Sequence, residues 1–186
     1  METTPIQKIA GILKALITAT FVCNLIALPM VPGLVRFRFD LESIQSLWAY
    51  DVDDCLGNFL DALLSWWYWG EAYTVMLTLF LLFAGVCTAI ILWQGRRVLD
   101  TILREEPFSM ENAVSLRRAA WASFVISAAA LVRVVFSLCF YRSPVPLFSY
   151  NALFVPIFAM FGLLCLVMSA LFRQAAELKA ENDLTI

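Results

Sequence analysis

The sequence predicts an all-α, polytopic membrane protein: four transmembrane helices in one bundle, with both termini in the cytoplasm. Three observations carry that prediction. The chain is 62% hydrophobic and only 15% charged, whereas an ordinary soluble domain carries roughly 25% charge. It contains four apolar runs, near residues 9–31, 71–93, 116–141 and 150–172, each long enough to cross a hydrocarbon core of about 30 Å. Its basic residues also alternate with the connections. Lys8, Lys14, five Arg between Gln94 and Arg118, Arg173 and Lys179 fall on one side, against Arg36, Arg38 and Arg142 on the other. That nine-to-three bias places the first group inside. The reading is one transmembrane domain over residues 1–186, with an outer loop at 32–70, a cytoplasmic hairpin at 94–115 and a cytoplasmic tail at 173–186.

The first run is closed by Pro29 and Pro32 and reads as an uncleaved span, because it is long, holds Lys14 and offers no Ala-x-Ala cleavage site. Lys14 is expected to reach back to the inner interface. The outer loop is acidic. Leu41 to Tyr50 and the stripe Leu56, Phe59, Leu60, Leu63 and Leu64 suggest two short helices on the outer leaflet, and Trp66-Trp-Tyr-Trp69 an interfacial aromatic belt.

The second span is expected to continue beyond the membrane, since Val98, Leu99, Ile102 and Leu103 keep helical spacing. Pro107 stops it. Ser109 then caps the next helix, with Glu111 favoured by the dipole of the first turn and Phe108 in the staple position. The third connection, Arg142-Ser-Pro-Val-Pro-Leu, is short and stiffened by two prolines. The tail from Arg173 is rich in helix formers, so the fourth span should run on to about Asn182. Hairpin and tail would then form a small cytoplasmic head. Leu178, Leu184 and Ile186 are candidates to pack on Val98, Leu99, Ile102 and Leu103, or to offer the same surface to a partner.

Chemistry is sparse. The chain has no His, which removes the commonest general base and metal ligand and any Ser-His or Cys-His pair. Four of the five Cys lie in apolar runs without Cys-x-x-Cys spacing and read as small buried hydrophobes, with Cys55 alone in a loop. No Asp or Glu lies within a span away from its ends, against a buried-carboxylate protease or proton pump. An enzyme is not expected, nor a cofactor, a metal or a direct role with nucleic acid.

Arg133 is the one charge well inside a span. An Arg at mid-helix costs on the order of 2.5 to 3.5 kcal/mol on insertion scales, so it should be paired or face water. Counted from the outer ends, Asn24 and Thr78 share its depth, and Pro156 would free the carbonyl of Ala152 nearby. This polar layer is a candidate site for an anionic headgroup or small ligand. The competing reading, a structural Arg reaching outward toward Glu71 or Asp61, is favoured because no acid lies at its own depth.

Pro107-Phe-Ser-Met-Glu-Asn112, the following Leu116-Arg-Arg118, and the tail Phe172-Arg-Gln-Ala-Ala-Glu-Leu-Lys-Ala-Glu-Asn-Asp-Leu-Thr-Ile186 resemble a bacterial membrane family labelled domain of unknown function 2975. The likeness is best from the second span to the end and does not reach the acidic outer loop. It implies a four-span protein of the bacterial cell membrane. It also implies a small cytoplasmic helix-turn-helix regulator as partner, because members of this family often come with one. It carries over no catalytic residue. The expected function is therefore a membrane sensor or anchor that binds such a regulator through hairpin and tail. The alternative is a small transporter or accessory subunit of a transport complex, built as a homo-oligomer and using Arg133.

Overall fold

The computed structural model describes residues 5–36, 72–104 and 106–183. The two outer-loop helices, the aromatic belt, Cys55, Asp61, Glu71, Leu184 and Ile186 lie outside the described residues. All regular structure in the described part is helical. Helix α1 (Pro5–Ala27) is followed by a 3₁₀ turn (Leu28–Met30) and by α2 (Val31–Arg36). Then come α3 (Ala72–Leu103), α4 (Met110–Tyr141), two 3₁₀ turns (Val145–Phe148 and Tyr150–Leu153) and α5 (Phe154–Asp183). Four helices are long and apolar enough to cross a membrane. Their outward faces carry large exposed side chains such as Ile9, Leu16, Trp121, Val132 and Leu163, as lipid-facing surfaces do.

The first span ends where expected: α1 stops at Ala27 and the apolar stretch runs from Gln7 to Met30. Pro29 is the second residue of the 3₁₀ turn and Pro32 the second residue of α2, places where a missing N–H leaves no helical bond unmade. The chain therefore stays helical to Arg36. Pro156 is likewise in the first turn of α5, where its missing N–H breaks no intrahelical bond, and the Ala152 carbonyl accepts from the Phe154 N–H. The extensions are as expected: α3 runs to Leu103 and α5 to Asp183, about 48 and 45 Å at 1.5 Å per residue.

Each long helix packs on the next in sequence, α1 on α3, α3 on α4 and α4 on α5, with no extensive contact between α1 and α4 or between α3 and α5. The described helices thus form an open row and not a closed ring. Centre place goes to α4, whose buried face is built of small residues: Ala113, Ser115, Ala119, Ala120, Ser123, Ser127 and Ala130. In lipid, where burial of apolar surface gives no preference between protein and tail, small residues let backbones approach and hydroxyls bond across helices. Ser127 Oγ donates to the carbonyl of Val155 at 2.8 Å, and Ser169 Oγ to that of Ala113 at 2.7 Å. On α5, Gly162 receives the ring of Phe124, and a Cβ there would stand 2.9 Å from Phe124 Cε1.

The register of α1 on α3 is set by four contacts. Lys14 Nζ meets Asp100 Oδ1 at 2.6 Å, Ile17 lies at Gly95, Phe21 at Trp93 and Leu28 at Gly85. The α3–α4 pair runs antiparallel from Thr101–Asn112 at one end to Tyr73–Phe140 at the other. These are the hairpin end and the turn end of the row.

Candidate functional site

At the turn end, Arg133 is 9% exposed. It sits eight residues before the end of α4, about 12 Å in. Its guanidinium carbon lies 4.9 Å from the centroid of the Phe80 ring on α3, a cation–π contact worth about 0.5 to 2 kcal/mol. No carboxylate pairs with it among the described residues. The wall opposite is made by the chain after α4. Arg142, with φ of 47°, ends the helix in the left-handed conformation, and the two 3₁₀ turns fold back across the helix end. Between them lies a cavity of about 400 Å³, lined by Tyr73, Arg133, Val134, Ser137, Tyr141, Ser143, Val145, Pro146, Ser149 and Asn151. The Ser149 hydroxyl donates to the Pro146 carbonyl and Ser143 Oγ accepts from the Val145 N–H. The other three hydroxyls, of Tyr73, Ser137 and Tyr141, have no partner among the described residues.

The structure does not bring Asn24 to this cavity. Asn24 lies between Phe21 and Leu28, hence between the levels of Trp93 and Gly85 on α3, more than a helical turn from Phe80 toward the hairpin end. Counting from an outer end at residue 31 misplaced it, because the helical path continues through Pro29 and Pro32. Its Oδ1 is buried without a partner. Thr78 is buried on α3, near the level of Phe80, but its hydroxyl donates to the Thr74 carbonyl at 2.8 Å and it does not line the cavity. Ala152 and Pro156 do not line it either. Of the expected polar layer, Arg133 alone faces the cavity. The serines and tyrosines around it escaped the sequence reading because they come from a helix end and a turn whose fold-back no periodicity announces.

At the hairpin end the motif around Pro107 is used residue by residue. Ser109 caps α4 by accepting from the Asn112 N–H at 3.3 Å. Glu111 pairs with Arg97 at 2.6 Å, and Phe108 stacks at a tilt on Phe172 of α5, with centroids 5.9 Å apart. Asn112, 0% exposed, donates through Nδ2 to the Pro107 carbonyl at 2.7 Å and accepts from Thr101 Oγ1 at 2.8 Å. The Thr101 hydroxyl, also 2.7 Å from the Val98 carbonyl, shares its single proton between the two acceptors.

Among the described residues α5 packs on α4 and not on α3, so the part of the expected head that joins Leu178 to the end of α3 is not seen, while Leu184 and Ile186 lie outside the described residues. Leu99 is buried, and Val98, Ile102 and Leu103 are half-buried. Leu178, 66% exposed, stands six residues past Phe172, which meets Phe108, and nine past Ser169, which bonds the Ala113 carbonyl. These side chains therefore do not make one surface.

Long apolar helices with one buried cation and otherwise small polar residues between them make up a multi-pass membrane protein. Within that class the chain belongs to the family described as a protein of unknown function, DUF2975, whose profile matches residues 62–186. That span takes in the hairpin motif, the cavity and the tail, and leaves out α1. No curated protein and no solved structure matches the chain.

Proposed function

We propose that this protein is a sensor or anchor of the bacterial cell membrane, with both termini in the cytoplasm, that holds a small helix-turn-helix regulator at its hairpin end. The observation that supports the reading is the continuation of α5 to Asp183, eleven residues past Phe172, with a largely exposed polar surface. From Arg173 to Asp183 the helix is stiffened by the Arg173–Glu177 pair at 2.8 Å and presents an exposed Leu178. Basic residues at the same end favour its placement on the inner side. The contact surface proposed is the tail around Leu178, with Leu184 and Ile186 of the same segment as its further apolar residues. No catalytic step is assigned to any residue.

The test is a pull-down from gently solubilised membranes, comparing the intact chain with one truncated after Phe172. A small helix-turn-helix protein retained only by the intact chain is the expected result. If neither form retains one, the reading fails. The transporter alternative then becomes the better account, and it predicts that Arg133→Ala abolishes transport without lowering the amount of protein in the membrane.

A further inference from the structure

We propose that the Arg133 cavity is a binding site for a singly charged oxyanion on an apolar or aromatic body, a carboxylate or phosphodiester. This stands apart from the regulator reading and from the hairpin end. Arg133 is more than nine-tenths buried, lines the cavity, and has the Phe80 face but no carboxylate beside it among the described residues. A guanidinium carries five donors in a planar fork, which a ring face leaves unfilled and a two-oxygen anion matches. The C-terminal end of α4 and the lead-in to the N-terminus of α5 meet here, so their dipoles oppose each other and Arg133 sets the sign.

One cation calls for one negative charge. The hydroxyls of Ser137, Tyr73 and Tyr141, without partners among the described residues, supply donors to the same group, while Val134, Val145 and Pro146 accept an apolar part. At about 400 Å³ the space is of small-ligand size. Its depth, about 12 Å from the end of a 32-residue helix, is near the boundary between hydrocarbon and headgroups. The same chemistry could be met by an anionic lipid headgroup or by a soluble carboxylate.

Two probes separate these sources, each applied to the full chain and to Arg133→Gln, Arg133→Lys and, as a cation outside the cavity, Arg173→Gln. Phosphatidylglycerol is titrated against phosphatidylcholine in neutral detergent and bound lipid is counted by native mass spectrometry. Benzoate is titrated into phosphatidylcholine nanodiscs and read by thermal shift. The expected result is one site per chain for at least one probe, weakened roughly tenfold or more in Arg133→Gln. Arg133→Lys retains part of the affinity and Arg173→Gln all of it. Binding of phosphatidylglycerol alone assigns a headgroup site, of benzoate alone a soluble-ligand site, and of both a site for the shared anion. The proposal is overturned if the intact chain binds neither probe, or if folded Arg133→Gln binds as tightly as the intact chain.

Discussion

The two ends of the helix row hold similar numbers of polar side chains and treat them in opposite ways. At the hairpin end Asn112, Thr101, Ser109, Glu111 and Arg97 satisfy one another, and Lys14 and Asp100 do the same alongside. At the turn end a buried Arg lines an open cavity with an aromatic ring, and among the described residues no carboxylate, beside it. A closed network stabilises the fold, because each buried donor and acceptor has recovered what it lost on leaving water. An open one leaves that recovery to something that binds. Burial of a polar residue is thus no guide to its role until its partners are counted.

That contrast can be broken most directly at Asn112. Asn112→Leu leaves the Pro107 carbonyl without its buried donor and Thr101 with the Val98 carbonyl alone, so it should cost about 1 to 3 kcal/mol and lower the midpoint of heat denaturation in detergent. A variant as stable as the intact chain would mean that the hairpin end is not a closed network. Next comes the α4–α5 seam. Gly162→Val drives a side chain into Phe124 and is expected to cost about 1 to 3 kcal/mol, read by the same denaturation. Ser109→Ala removes the cap of α4, for about 1 kcal/mol, and should raise amide exchange in the first turn of that helix alone.

Arg133→Met sharpens the comparison from the other side. Without added anion it should lose no stability, and gain up to about 1 kcal/mol, because it removes an unpaired buried charge. A marked loss would show that Arg133 is already paired within the protein. Smallest is Lys14→Ala, whose half-exposed ion pair with Asp100 is worth about 0 to 1 kcal/mol. Its effect should fade as salt is raised.

The four long helices follow from the sequence alone, because a run of apolar residues longer than the hydrocarbon is thick has no other way to satisfy its backbone. So does the turn at Pro107 and Ser109, where local sterics and a side-chain cap act within four residues. The lateral order of the helices could not be read there. In lipid both the packed and the exposed faces are apolar, so periodicity does not point inward as it does in water. The row, the separation of Asn24 from Arg133 and the distance of Leu178 from Leu103 were decided by packing: Leu28 at Gly85, Phe124 at Gly162, Ser169 on Ala113. The same holds for the two polar clusters. Arg133 is conspicuous in the sequence as a charge in a span, but whether anything stands beside it depends on residues up to sixty positions away. Asn112 looks in the sequence like one more polar residue in a loop, and only the approach of Thr101 and the Pro107 carbonyl makes it the pivot of the hairpin.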